Sequence, residues 1–422
     1  MCIRFRKLTM AVVQAVCLHK TAARLFCSIA IASPLAFTPL ALQAQALIAW
    51  SPGPLNETPN HNSPQFVARH IDHIESRPFD GIVLNEYFGR NLFNLNLVHG
   101  GEPLGAKGEI TRTMVDRSFA PLVGKFKRMR FNLAKVNLLM TSLPPLLDDE
   151  AGWRRVAENV RIYAGALEDS GFRGIMIDNE AYFRPAGEKK KSLDYWLASD
   201  QRELMRMDEA AMPLSRLIEL ARLRGRSIAK ALFVGYPTID VIVAHGPYVG
   251  CTEAAQRLGT FGIDQYLMGA FFAGMVEEAP FGGQIIDGGE LYELRSEDEF
   301  RSSREVRLSI GTRKGAPLDN PNRTQCPFMT QELNDNWRSR VGIAHGTFDR
   351  ARKKAGHAEL YDDVDSVRFE QTLKNAARYS DKYVWHYTQW QDWLGPTQTD
   401  EMAAFDKAVR RARLSFRTPM HK

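Results

Sequence analysis

Residues Glu150–Glu180 read EAGWRRVAENVRIYAGALEDSGFRGIMIDNE. Trp153, Val156, Ala157, Val160, Ala164 and Leu167 recur at the i, i+3, i+4, i+7 spacing of an amphipathic helix. Gly171 stands where a helix C-terminus calls for a residue in the left-handed region. Phe172–Asp178 follows at once as a short apolar strand. Helix, glycine, strand is one step of an α/β chain, and the rest of the sequence repeats it.

Upstream, Leu47–Trp50, Gly81–Glu86 and Phe131–Met140 read as strands one to three. Ser63-Pro64 between the first two has the form of an N-cap followed by proline at the first helical position. Downstream, a helical region covers Leu193–Leu223 with a break expected at Pro213. Ala231–Gly235 reads as strand five, Ile285–Ile286 leading into Asp287 as strand six, Val341–Ala344 as strand seven and Tyr383–Gln389 as strand eight. A closing helix starts near Thr399. Eight strands alternating with helices predict an α/β fold of the (β/α)8 TIM-type barrel class with long βα loops. The runner-up, an open doubly wound sheet, usually carries a glycine-rich phosphate loop after an early strand, and this sequence has none.

The first 46 residues read as a signal peptide. Arg4, Arg6, Lys7, Lys20 and Arg24 are basic with no acidic residue among them; an apolar stretch Leu25–Leu42 follows, then Ala44-Gln45-Ala46. Pro34 and Pro39 interrupt the apolar stretch and disfavour a membrane anchor. Residues 47–422 are then a single secreted or periplasmic barrel domain, with no membrane association after cleavage. The full chain has 55 Lys+Arg against 49 Asp+Glu, and removing the five basic residues of the leader leaves 50 against 49. The basic balance belongs to the leader, so nucleic acid is not an expected partner. Cys251 and Cys326 remain, either as one disulfide or as two separate thiols.

In this fold, active sites lie at the C-terminal ends of the strands. Strand four ends Asp178-Asn179-Glu180-Ala181-Tyr182, and the two-residue repeat of a strand puts Asp178 and Glu180 on one side. Crowded carboxylates push one pKa up and make a proton donor. Strand six ends Asp287-Gly288-Gly289-Glu290, which offers a second acid. Two carboxyl groups flanking one bond are what glycoside hydrolysis requires. Glu180 is read as the acid/base, Glu290 as nucleophile or general base, and Asp178 as the residue that tunes Glu180; in the reverse assignment Asp178 is the nucleophile and Glu290 the acid. Glu86, Tyr182 and His345 are candidate substrate contacts. Trp385, Tyr387 and Gln389 share one side of strand eight, the two rings as sugar platforms and the amide as a hydroxyl partner. No cofactor and no metal site are implied: no cysteine spacing suits zinc, and His70 and His73, whose i, i+3 spacing on the first helix could suit a metal, lack an evident carboxylate partner and are read as a solvated face. The oligomeric state is open.

The run Gly174-Ile175-Met176-Ile177-Asp178-Asn179-Glu180 resembles the strand-four signature of family 18 glycoside hydrolases, D-G-x-D-x-D-x-E. It keeps Gly174, Asp178 and Glu180 and carries Arg173 and Met176 where the first two aspartates stand. The resemblance implies a general acid at Glu180, an aspartate at Asp178 that orients the substrate's acetamido group, and membership in the wider class of secreted barrel glycosidases. The expected substrate is an extracellular or cell-envelope polysaccharide. The competing class is a carbohydrate-binding barrel without catalysis. A metal-dependent phosphodiesterase barrel would need an acid and histidine cluster at the strand ends, and none can be assembled.

Overall fold

A computed structural model describes residues 45–51, 61–84, 110–137, 145–179, 182–183, 193–251, 254, 258, 266–280, 283–310, 326–348, 365–388 and 392–416. The strands of the main sheet are β1 (Ala46–Trp50), β2 (Gly81–Leu84), β3 (Leu133–Asn137), β4 (Gly174–Asp178), β5 (Asp240–Val243), β6 (Ile285–Asp287), β7 (Val341–Ile343), β8 (His345–Phe348) and β9 (Tyr383–Tyr387), and Tyr182–Phe183 pairs separately with Leu193–Asp194. The order around the sheet is β8-β9-β1-β2-β3-β4-β5-β6-β7, with every pairing parallel. Only Ala344 separates β7 from β8. The first pairs with β6 and the second with β9, so one stave of the wall joins both ends of the sheet. The fold is the (β/α)8 barrel that the alternation of elements predicts.

Strand alternation divides the core into two layers. Ala46, Ile48, Trp50, Val83, Leu133, Met176, Ile242, Ile286, Ala344, Tyr383 and Trp385 fill the barrel interior. Their neighbours, among them Leu47, Ala49, Ile82, Leu84, Ile175, Ile177, Val241, Val243 and Val384, pack outward on the helices. Strands buried on both faces have to be apolar along their whole length, and these are. The floor of the barrel holds one buried acid. Asp240 accepts from the Tyr383 hydroxyl at 2.6 Å, Arg173 Nε at 2.8 Å and Lys382 Nζ at 3.1 Å.

The helices start where their capping residues say. Ser63 accepts from the Phe66 amide at the head of α1 (Pro64–Arg69), with Pro64 at its first position. Asp149 caps α4 (Glu150–Asp169), after α2 (Ile71–Ser76) and α3 (Arg112–Phe119). Gly171 takes φ +78° after α4, as its position demands. Pro213 separates α5 (Ala198–Met205) from α6 (Leu214–Gly235). One expected strand is corrected here: Ala231–Gly235 is the last turn of α6, and the fifth strand is Asp240–Val243. A five-residue apolar run fits a strand or a buried helix equally. Helical periodicity decides it, with Ile228, Ala229, Ala231 and Leu232 buried while Val234 is exposed. The remaining helices are α7 (Tyr266–Glu278), α8 (Glu297–Leu308), α9 (Gln331–Arg340), α10 (Ser366–Tyr379) and α11 (Asp400–Phe416). Cys251 and Cys326 form a disulfide, with their Cα atoms 4.5 Å apart. Among the described residues no helix is long and apolar enough to cross a membrane.

Candidate functional site

The register of the sheet sets the height of each strand end. Asn137 lies opposite Asp178, Ile177 opposite Val243, and Val243 opposite Asp287. Asp178, Ala244 and Gly288 therefore occupy one level at the C-terminal end of the wall. Asp178 and Gly288 are two strands apart, roughly 10 Å between Cα atoms at the usual strand spacing. Glu290 stands just beyond that level, its amide bonded to the Ala244 carbonyl at 3.1 Å.

Each described carboxylate has a nitrogen partner that the sequence reading did not assign. Asp178 Oδ2 is 2.8 Å from Lys135 Nζ, and that ammonium sits 4.3 Å from the ring centroid of Trp50. Lys135 is the one charged residue of β3, placed inward between apolar neighbours, which is the signal that could have found it. Glu290 Oε2 is 3.4 Å from His245 Nε2, and the Glu290 side chain is 13% exposed. His245 follows β5 after Ala244. Asn179 fixes its backbone from both sides, accepting from the His245 amide at 2.9 Å and donating to its carbonyl at 2.7 Å.

The turn that carries Glu290 is clamped. Asp287 is fully buried, and its Oδ1 accepts from the Gly289 amide and from Arg307 Nη1, both at 3.0 Å. Arg307 Nη1 also reaches the carbonyls of Asp287 and Ala344 at 3.2 and 2.8 Å. Burial holds the Asp287 carboxyl above its ordinary pKa, with Arg307 pulling it partly back. Gly289 has φ +57°, and a Cβ there would lie 2.3 Å from Arg307 Nη1, so glycine is required. Gly246 faces the other side of the same acid; its Cβ would lie 2.1 Å from the Asp287 carboxyl carbon.

Aromatic rings line the same end. Trp50 and Tyr387 are 4.6 Å apart by centroid, Tyr292 and Phe348 5.2 Å, and Phe348 and Tyr387 5.7 Å. Tyr292 and Tyr387 are half-buried and close the group at 6.0 Å.

Two expected substrate contacts are corrected. Trp385 is 0% exposed, donates from Nε1 to the Gly288 carbonyl at 2.7 Å, and belongs to the barrel interior below Trp50 and Tyr292. It offers no ring face to a sugar. His345 is fully buried on the helix side of the wall, 3.1 Å from Ser380 Oγ and edge-on to Phe300. Burial holds its pKa well below the ordinary value, with Arg307 adding to the effect. Tyr387 keeps its place at the strand ends. Glu86, Glu180 and Gln389 lie outside the described residues, as does the side chain of Tyr182, whose backbone pairs with Asp194.

No family model matches the chain, and no curated protein matches it in sequence. Among solved structures it is similar to a β-mannanase from the blue mussel Mytilus edulis, at 12% identity over 90% of this chain and 94% of the other, TM-score 0.46. It is similar to the catalytic domain of a chitinase from Pyrococcus furiosus at 9% identity, over 90% and 98% of the two chains, TM-score 0.42. A glucosidase from Croceicoccus marinus gives 12% identity over 89% and 67%, TM-score 0.45.

Proposed function

We propose that this protein is a secreted or periplasmic glycoside hydrolase acting on an extracellular or cell-envelope polysaccharide. The observation that carries the reading is the pair Asp178 and Glu290, at the ends of strands four and six on one side of one barrel, beside the half-buried rings of Tyr292 and Tyr387. An aromatic face covers the apolar C–H face of a sugar ring, and two carboxyl groups supply the proton donor and the nucleophile or base. In this reading Glu180 protonates the leaving oxygen and Glu290 attacks the anomeric carbon or activates water. Asp178, anchored by Lys135, holds the sugar substituent nearest the reacting carbon. The Cys251–Cys326 disulfide suits an oxidising compartment and supports the export reading of the leader. Cleavage after Ala46 would remove the first residue of β1, whose amide bonds the Lys382 carbonyl at 2.8 Å, and leave Leu47–Trp50 of the strand in place.

One observation favours a carbohydrate-binding barrel without catalysis: Asp178 is held at 2.8 Å by the Lys135 ammonium, which ties that acid in place rather than leaving it to attack a sugar carbon. Reducing-end release from soluble mannan, xylan, β-glucan, chitosan and polygalactosamine separates the two. Hydrolysis of one polymer, abolished in Glu180→Gln and Glu290→Gln while binding persists, is the expected result. Binding in affinity electrophoresis with no release from any polymer, in wild type and variants alike, refutes the hydrolase.

A further inference from the structure

We propose that His245 is a positioning residue for Glu290, held by Asn179 so that its Nε2 donates to the Glu290 carboxylate and fixes it toward the reacting carbon. The proposal rests on the hydrolase reading for its catalytic consequence, but the pair itself stands on geometry. Asn179 directly follows Asp178 and spends both ends of its amide on the backbone of His245. A buried side chain that grips one residue's amide and carbonyl together leaves that residue little rotational freedom. The imidazole then lies between two groups. Nδ1 is 3.4 Å from the Tyr248 hydroxyl, and Nε2 is 3.4 Å from Glu290 Oε2. Burial holds the Tyr248 hydroxyl far above its ordinary pKa, so it remains a neutral phenol that can give its proton to Nδ1 or accept one from it. Glu290 is fixed from beneath by its own amide on Ala244 and by the Asp287–Arg307 clamp at Gly289.

The strand-four segment that bears the proposed acid is therefore linked through Asn179 and His245 to the strand-six acid. Hydrogen bonds of this length in an unliganded site commonly tighten when substrate arrives. The charges of Asp287, Arg307, Glu290 and Glu293 act on Tyr248, and Asp287 in turn feels Arg307 and His245, so the pair lies among these groups. A donor aimed at one oxygen of Glu290 stabilises the anion.

The direct test needs no substrate. The His245 imidazole is titrated by NMR in the full chain labelled at histidine, its signal assigned by its loss in His245→Gln. Glu290→Gln should lower the His245 pKa by about one unit, a tenfold change in proton affinity, as removal of a carboxylate within contact does. A shift below about 0.2 unit overturns the pair. The catalytic arm uses the polymer that the release panel identifies. His245→Leu should lower kcat by about 100-fold with KM held within about twofold, and His245→Gln, which keeps a donor at the same reach, should recover at least about tenfold. Equal kcat in wild type and His245→Leu overturns the positioning role. Loss of release in Glu290→Gln with no His245 shift leaves the hydrolase standing and removes His245 from it; a His245 shift with release untouched by Glu290→Gln refutes Glu290 as a catalytic group.

Discussion

Replacing Arg307 by methionine isolates the clamp beneath Glu290. The guanidinium is wholly buried and makes all three of its described bonds through Nη1, one of them to Asp287 Oδ1 at 3.0 Å. Asp287 is equally buried. Methionine fills much of the same volume and leaves that carboxylate without its charge partner. Breaking a buried pair in this way costs about 3–5 kcal/mol, against a total stability of about 5–15 kcal/mol. The variant should fold and unfold at a clearly lower urea midpoint, followed by tryptophan fluorescence. Adding Asp287→Asn removes the stranded charge while keeping an oxygen for the Gly289 amide, so the double variant should recover all but about 1–2 kcal/mol. The pH dependence gives an independent signature. The Asp287 pKa is raised by burial in the wild type, and losing Arg307 raises it further. A folded-state pKa above the unfolded one contributes stability that is complete below the unfolded value, about 3.9, and is lost as pH rises through the folded value. The deficit of Arg307→Met should accordingly be greatest near neutrality and shrink as pH falls toward 4. A deficit under about 1 kcal/mol at pH 7, or one that widens on acidification, refutes the account.

Three further outcomes are expected. Cys326→Ser opens a cross-link spanning 75 residues and should cost about 4.5 kcal/mol on the chain-entropy account, read from the urea midpoints of variant and wild type without reductant; equal midpoints for the two would show that the bond adds nothing. Gly289→Ala places a Cβ against Arg307 Nη1 at a positive φ and should cost about 2 kcal/mol or more, whereas a neutral result would mean that the turn relaxes freely. Trp385→Ala should cost about 3–5 kcal/mol, as a core tryptophan does, and a variant of wild-type thermal midpoint with weakened glycan binding would return the ring to the surface.

The architecture was legible because two signals agree along most of the chain. α4 and β4 show helical spacing, a terminating glycine and a short apolar strand in succession, and all three appear where the spacing puts them. Ser63-Pro64 and Pro213 mark helix starts by local chemistry that needs no tertiary partner. Ala231–Gly235 failed because its apolar run has no internal feature that separates the two periods; the packing of Ala231 and Leu232 as part of a long helix decides it. The closure of the wall by two short strands around Ala344 was also out of reach. It depends on which neighbour each half meets, β6 or β9, and pairing partners are not local.

At the site, alternation along a strand is readable and depth is not. Trp385 and Tyr387 share a side, as the two-residue repeat requires, yet they stand about 7 Å apart along the strand. Ile48 and Gly346 flank Trp385 in the sheet, whereas Trp50 and Phe348 flank Tyr387. One layer therefore separates an interior ring from one at the strand end, and only the register reveals where the barrel stops. His345 fails for the same reason in reverse. Taken as the residue just after a strand ending at Ala344, it belongs to the mouth; but the wall continues to Phe348, so His345 is one step along a strand whose inward residue is Ala344, and it points to the helices. Asp178 sits at the end of its strand and Glu290 just past the end of its own. Their partners Lys135 and His245 come from β3 and from the end of β5, and charge pairs assembled across a parallel sheet leave no trace in the spacing of either segment. The trace that does remain is an ionisable residue where the pattern calls for an apolar one. Lys135 inside β3 is such a residue, and an inward charge in a barrel strand is best read as a request for a partner one strand away.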